Sequence, residues 1–167
     1  MKHVTKISLI SFLIITFPPF CLCRKPCSGW FQNIRNGHCY RAFCDALNFT
    51  SAQNECIAVG GHLAHIRNEQ EDKFAATLKH GVEDYTNDFW IGIKRKSHKS
   101  NEWIYVGTNK KAEYLNFHPN RPDNYGGHED CVHYVYSQYW NQWNDLQAWR
   151  ERAYICERHN CINLEWD

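Results

Sequence analysis

Apart from one run near the start, the 167-residue chain contains no long hydrophobic stretch, and a helix that crosses a bilayer needs roughly 20 apolar residues in succession. A polytopic membrane protein is therefore excluded. An excess of one charge is missing as well: the formal net charge is +1, so no global field favours nucleic acid or a membrane surface as partner. There is no Cys-x-x-Cys, no nucleophile elbow and no Gly-rich phosphate loop, which removes the usual footing for zinc-ribbon, hydrolase and nucleotide-binding chemistry. Glu129 and Asp130 are the only paired carboxylates suggestive of catalysis. Neighbours on a strand point to opposite faces, so the two cannot act jointly on one bond in acid and base roles. The chain reads as a non-enzyme.

What the chain does have is cysteine and aromatic residues. Nine Cys, seven Trp, 43% hydrophobic and 15% aromatic content suit one compact domain with a packed interior, made in an oxidising compartment. Met1 to Lys6 is basic and Ile7 to Phe17 almost wholly apolar, followed by Pro18-Pro19 and small residues. That pattern is a signal peptide, 1–23, cleaved after Cys23, and it implies secretion. Residues 24–167 then form a single domain with a short C-terminal tail.

Oxygen-bearing side chains concentrate between Asn120 and Asp145. Arg121-Pro122-Asp123-Asn124-Tyr125 leads to Glu129-Asp130-Cys131, then an aromatic strand, then Trp143-Asn144-Asp145. A hairpin reversal would set Asp123 and Glu129 opposite Asn144 and Asp145. Calcium is a hard cation that takes roughly 6–8 oxygen ligands, and these four residues offer four side-chain oxygens, with coordination positions left open for two vicinal sugar hydroxyls. Tyr125 would lie against the apolar face of the sugar ring.

Elsewhere the pattern gives scaffold. Cys27 to Trp30 and Gly37 to Tyr40 form a hairpin through Asn36-Gly37, which a Cys27–Cys39 bridge would staple. Thr50 is the expected N-cap of a first helix with Ala52, Cys56, Ile57 and Val59 on its apolar side, stopped by Gly60-Gly61. A second helix starts at Asn68-Glu69-Gln70-Glu71, its acids placed where the helix dipole favours them, with Phe74, Ala75 and Leu78 inward. Phe89 to Ile93 reads as a strand buried on both faces. Lys110 to Asn120 is an irregular segment long enough to be a binding loop. Asn48-Phe49-Thr50 is the only glycosylation sequon. His62 and His65 invite a zinc reading, but nothing near them in sequence supplies further ligands at metal spacing, and a paired structural role is the expectation. Lys94-Arg95-Lys96-Ser97-His98-Lys99 is a dense basic cluster, either a solvated loop or a patch for anionic polysaccharide.

Taken together, Gly60-Gly61-His62-Leu63-Ala64, Trp90-Ile91-Gly92, Glu129-Asp130-Cys131, Trp143-Asn144-Asp145 and Ile155-Cys156-Glu157 resemble the C-type lectin domain family from Cys27 to Cys156. The resemblance implies an α+β C-type lectin fold: two helices, two small antiparallel sheets and a long loop region, disulfide-stapled. It implies Ca2+ held by Asp123, Glu129, Asn144 and Asp145, glycans of cells or glycoproteins as ligands, and a cis Pro122. Carbohydrate contacts would come from Arg121, Asp123, Tyr125, Glu129, Asn144 and Asp145. Pro-Asp followed by Tyr resembles the galactose-preferring arrangement. Cys56–Cys156 should pin the first helix to the closing strand.

Two positions depart from the family pattern. Ala148 stands where the partner of Cys131 is expected, so Cys44 pairs either with Cys131, leaving Cys161 free or for an intermolecular bridge and a disulfide-linked dimer, or with Cys161. Arg121 replaces a neutral or acidic ligand, and a guanidinium has no acceptor and repels a divalent ion. Two functions follow: a secreted, calcium-dependent carbohydrate-binding protein, or a calcium-independent relative that binds a protein or an anionic glycan.

Overall fold

The computed structural model describes residues 27–79, 88–135 and 141–161. The expected leader, 1–23, and the end of the C-terminal tail lie outside the described residues. Two short helices flank strands in the order β1 (Phe31–Gln32), β2 (Cys39–Leu47), α1 (Phe49–Ala58), β3 (His62–Leu63), α2 (Glu69–Thr77), β4 (Phe89–Arg95), β5 (Trp103–Tyr105), β6 (Glu129–Tyr134), β7 (Trp143–Gln147) and β8 (Arg152–Arg158). The expected α+β architecture is present. Its antiparallel halves meet where β4 and β8 pair in parallel, giving one mixed sheet in the order β1-β2-β8-β4-β6-β7, with β3 on β8 and β5 on β4.

The hairpin expected at Asn36-Gly37 forms, with Phe31 opposite Tyr40 and Gly37 at φ +76°, where a side chain would be strained. The first helix begins earlier than expected. Asn48, not Thr50, is its N-cap: Asn48 Oδ1 accepts from the Ser51 amide at 2.9 Å, filling one of the donors a helix start leaves unpaired. This lets Phe49, Ala52 and Cys56 share the buried face, and turns Ile57 out to 55% exposure, against expectation. The second helix starts at Asn68 as read, with Asn68 Oδ1 accepting from Glu71 N. Phe89 to Ile93 is buried throughout.

Asp72, fully buried on α2, ties this helix to the loop and strands that lead into the site. Its carboxylate accepts from Tyr134 Oη (2.6 Å), Trp143 Nε1 (3.0 Å), Tyr114 Oη (3.0 Å) and Asn116 Nδ2 (2.7 Å). Buried carboxylates persist only when so satisfied. The irregular segment after β5 is consequently not loose: Trp143 N donates to Asn116 O and His118 N to Trp143 O, stitching it to β7.

The disulfides correct part of the expected set. Cys56–Cys156 is present, but Cys27 pairs with Cys44 and Cys39 with Cys161. Cys27 N donates to Ala42 O, which lays the N-terminal segment along the far part of β2 beside Cys44. Cys39 faces Arg158 at the end of β8, next to the stretch carrying Cys161. Neither a Cys27–Cys39 staple, nor a Cys44–Cys161 bridge, nor a Cys161-linked dimer is available. Cys44–Cys131 is excluded by topology: β2 and β6 are separated by β8 and β4, about 14 Å at a strand spacing of about 4.8 Å, whereas bridged Cα atoms lie within about 7 Å. Cys131 is a buried free thiol.

Candidate functional site

Three elements build the site: the Asn120–His128 loop, the start of β6 and the middle of β7. Asn120 and Asn124 both take positive φ (67° and 46°), a conformation Asn tolerates better than most residues, and between them the Arg121–Pro122 peptide is cis, as expected. The loop is folded onto two buried carboxylates. Asp145 Oδ1 accepts from Asp123 N at 3.1 Å and Oδ2 from Asn124 N at 2.9 Å. Glu129 Oε2 accepts from Tyr125 N and Oε1 from Gln147 Nε2, both at 2.9 Å. Asn124 Oδ1 in turn accepts from Glu129 N at 2.9 Å.

These contacts bring Asp123, Glu129 and Asp145 together, with one carboxylate oxygen from each lying within 4.8 Å of the others. Calcium–oxygen bonds of about 2.3–2.6 Å place ligands on opposite sides of an ion about 4.6–5.2 Å apart, so three oxygens within 4.8 Å of one another lie within the reach of one ion. Burial, then the negative charges of Asp145 and Asp123, hold the Glu129 carboxyl above its ordinary value, a repulsion that a bound cation would relieve. Asn144, just before Asp145 on β7, forms no bond to the cluster; its buried Oδ1 has no hydrogen-bond partner among the described residues. A desolvated acceptor left unpaired is costly.

Arg121 lies at the rim, its side chain 38% exposed and, among the described residues, paired with the half-exposed Asp123. It does not enter between Glu129 and Asp145. The cation that does reach the cluster is Arg95, which the sequence reading placed in a surface patch with Lys94, Lys96 and Lys99. Its side chain is buried. Arg95 Nη2 donates to Asp145 Oδ2 at 3.0 Å, Nε to Glu129 O at 2.9 Å and Nη1 to Ser100 O at 2.7 Å, with the guanidinium 4.4 Å from the Trp103 ring centre. The alternation of β4 turns Arg95 inward, which a dense charge run concealed. Of the rest of that cluster, Lys99 is exposed, Lys96 pairs with Glu102 at 2.9 Å, and Lys94 is half-buried.

Tyr125 stands at the mouth, 76% exposed. The exposed indole of Trp149 and the rings of His128 and His98 continue the aromatic edge, with centroids 6.2 Å apart for His128–Trp149 and 5.4 Å for His98–His128. Sequence reasoning missed Trp149 and His128; the only signal was their closeness in sequence to Asp145 and Glu129.

Comparison with known proteins agrees with this fold. The family profile described as "Lectin C-type domain" matches residues 45–158. The chain is 26% identical over 157 residues to salivary C-type lectin 2 of Aedes albopictus, covering 90% of this chain and 96% of that protein. It is 32% identical over 131 residues to lactose-binding lectin l-2 of Anguilla japonica, covering 76% and 75%. Among solved structures, the mouse scavenger receptor C-type lectin carbohydrate-recognition domain superposes with a TM-score of 0.65 at 28% identity, covering 77% of this chain and 94% of that one.

Proposed function

Because the chain belongs to the C-type lectin domain family, whose members are non-enzymatic carbohydrate-binding proteins, we propose that it captures glycans through a calcium ion held by Asp123, Glu129, Asn144 and Asp145. The observation that carries this is the convergence of the three carboxylates within 4.8 Å beneath an exposed tyrosine. Calcium would leave positions open for two adjacent sugar hydroxyls, while spare carboxylate lone pairs accept from those hydroxyls. Tyr125 then packs on the apolar face of the ring and selects for sugars presenting one. Arg121, at the rim, donates to the sugar or to an acidic substituent on it. Galactose-type sugars are the first ligands to try: the Pro122-Asp123-Tyr125 arrangement favours them, and one relative carries lactose binding in its name.

The protein acts outside the cell in this reading, with a glycan on Asn48. The three disulfides Cys27–Cys44, Cys39–Cys161 and Cys56–Cys156 suit that oxidising setting. Binding to immobilised galactose and lactose, measured in calcium and then in chelator, tests the proposal. Retention in calcium, release by chelator and loss in Glu129→Gln are expected; sugar binding indifferent to chelator refutes the calcium mechanism.

One set of contacts favours a second reading, in which no calcium is needed. Arg95 on Asp145 and Arg121 on Asp123 already place two permanent positive charges against the cluster. A protein or anionic glycan would then be bound directly, with Lys94, Lys96 and Lys99 supplying charge and Arg95 serving the scaffold. Absence of any calcium-binding heat with undiminished heparin retention would select this reading.

A further inference from the structure

A second constellation of ligands lies away from the calcium cluster, on the β3–β8 side of the molecule. His62 sits opposite Glu157 across the β3–β8 pair, and His65 N donates to Glu157 Oε2 at 2.8 Å. One ligand atom each from His62, His65 and Glu157 lies within 4.8 Å of the others. Two more imidazoles border them: His38 Nδ1 is 2.5 Å from Glu157 Oε1, and the His159 ring is centred 4.1 Å from that of His38 and 5.9 Å from that of His62. The chain brings these residues from three segments, the turn before β2, the β3 stretch and the end of β8, which is why sequence spacing alone gave the pair no further ligands.

We propose that His62, His65 and Glu157 form a binding site for a divalent transition-metal ion of the zinc class, open on one side to solvent. The tautomers are already set for it. His65 Nε2 lies 3.1 Å from Val106 O and His62 Nδ1 2.8 Å from Leu63 O, so each ring spends one N–H on a backbone carbonyl and keeps the other nitrogen as a lone pair. Metal-binding histidines are commonly oriented by such an outer hydrogen bond. Glu157 is buried, its Oε1 accepting from His38 and Arg67 and, among the described residues, its Oε2 from His65 N, which leaves Oε2 a lone pair. Gly92 makes the approach possible, since a Cβ there would stand 2.3 Å from Leu63 O and 2.7 Å from His65 Cδ2.

The charge balance admits a cation. Arg67 is shared by Glu157 at 2.8 Å and Glu71 at 3.2 Å, so two buried carboxylates face one guanidinium, with Lys110 and Lys111 farther out on the cleft wall. Zinc–ligand bonds of about 2.0–2.1 Å set tetrahedral ligand atoms about 3.4 Å apart. Closing from 4.8 Å falls to the half-buried His62, whose ring now stacks on His65 at 3.9 Å. The fourth position opens on a cleft of ≈ 660 Å³ lined by Thr108, Lys110 and His159, where water or His159 completes the coordination. A purely structural pairing explains buried, doubly bonded His65; it does not explain four histidines gathered about one carboxylate.

The test is calorimetric titration of the secreted protein with Zn2+ in excess calcium, for wild type, His62→Ala and Glu129→Gln, with Co2+ visible absorption as a second readout. One zinc per chain is expected, weakened at least on the order of tenfold in His62→Ala and unchanged in Glu129→Gln, with a tetrahedral cobalt band lost only in His62→Ala. His62 is not a core residue, and circular dichroism checks that the variant is folded. No zinc heat in wild type, equal binding by His62→Ala, or loss confined to Glu129→Gln overturns the proposal. Failure of calcium-dependent sugar capture leaves the zinc isotherm untouched, so the two readings fail separately.

Discussion

Replacing Arg95 with methionine removes the one buried cation in contact with Asp145 while keeping much of the side chain's volume. In the native chain the Arg95 side chain is 4% and that of Asp145 0% exposed, at 3.0 Å. Taking one partner from a buried ion pair costs about 3–5 kcal/mol because the other charge stays behind in a poor solvent. Asp145 retains two loop amides, so the lower end, about 3 kcal/mol, is expected in chelator. For a domain of this size that is a fall of roughly 10 °C in Tm. Calcium at the carboxylate cluster would return positive charge to Asp145, and ligand at a hundredfold excess over its Kd contributes about 2.7 kcal/mol. Arg95→Met should therefore show a larger calcium-induced rise in Tm than wild type does. Differential scanning fluorimetry of both proteins, in chelator and in calcium, gives all four values. A loss below about 3 °C in chelator, or identical calcium responses, would show that Arg95 neither neutralises Asp145 nor competes with a metal there.

Other expectations are independent of sugar. Burial pushes the Cys131 thiol up to about 12, so alkylation at pH 8 followed by peptide mapping should leave Cys131 unmodified in the native protein and modify it fully in denaturant; native labelling would contradict its burial. Cys161→Ser opens a loop with a sequence separation of 122, worth on the order of 5 kcal/mol in the chain-entropy model, and should lower the denaturant midpoint without changing the sedimentation coefficient; a dimer-to-monomer shift would restore the intermolecular bridge. Burial alone would raise the Glu157 pKa, but the charge and hydrogen bond of Arg67, with His38, outweigh it and hold it below the ordinary value. A depressed carboxylate stabilises the fold above its unfolded pKa of about 4.3 and loses that contribution as pH falls through its folded pKa. Arg67→Met should accordingly shift the acid unfolding midpoint, followed by circular dichroism, to higher pH; an unchanged midpoint would remove Arg67 as the cause.

Local signals carried most of the scaffold. The Asn36-Gly37 turn, the apolar Phe89–Ile93 strand and the acidic start of α2 are short-range patterns whose physics does not depend on the rest of the chain, and the structure has all three. The convergence of Asp123, Glu129 and Asp145 was legible because oxygen-bearing side chains clustered around one hairpin leave a compositional mark. What sequence could not show was long-range pairing. Cys27, Cys39, Cys44 and Cys161 have partners set by which strand borders which, and β8 and β4 intervening between β2 and β6 is a fact of topology. Arg95 looked like its lysine neighbours because facing is decided by strand phase, not by charge. The His62, His65 and Glu157 group was invisible for the same reason: Glu157 arrives from β8 across the sheet.

In the proposed mechanism calcium and a saccharide share the point where Asp123, Glu129 and Asp145 meet. Isothermal titration of the purified protein with Ca2+, repeated with Glu129→Gln, tests it most directly. One calcium per chain in the wild type, abolished in Glu129→Gln and required for subsequent binding of galactose, is the expected result. No calcium heat, or an isotherm that Glu129→Gln leaves intact, would contradict it.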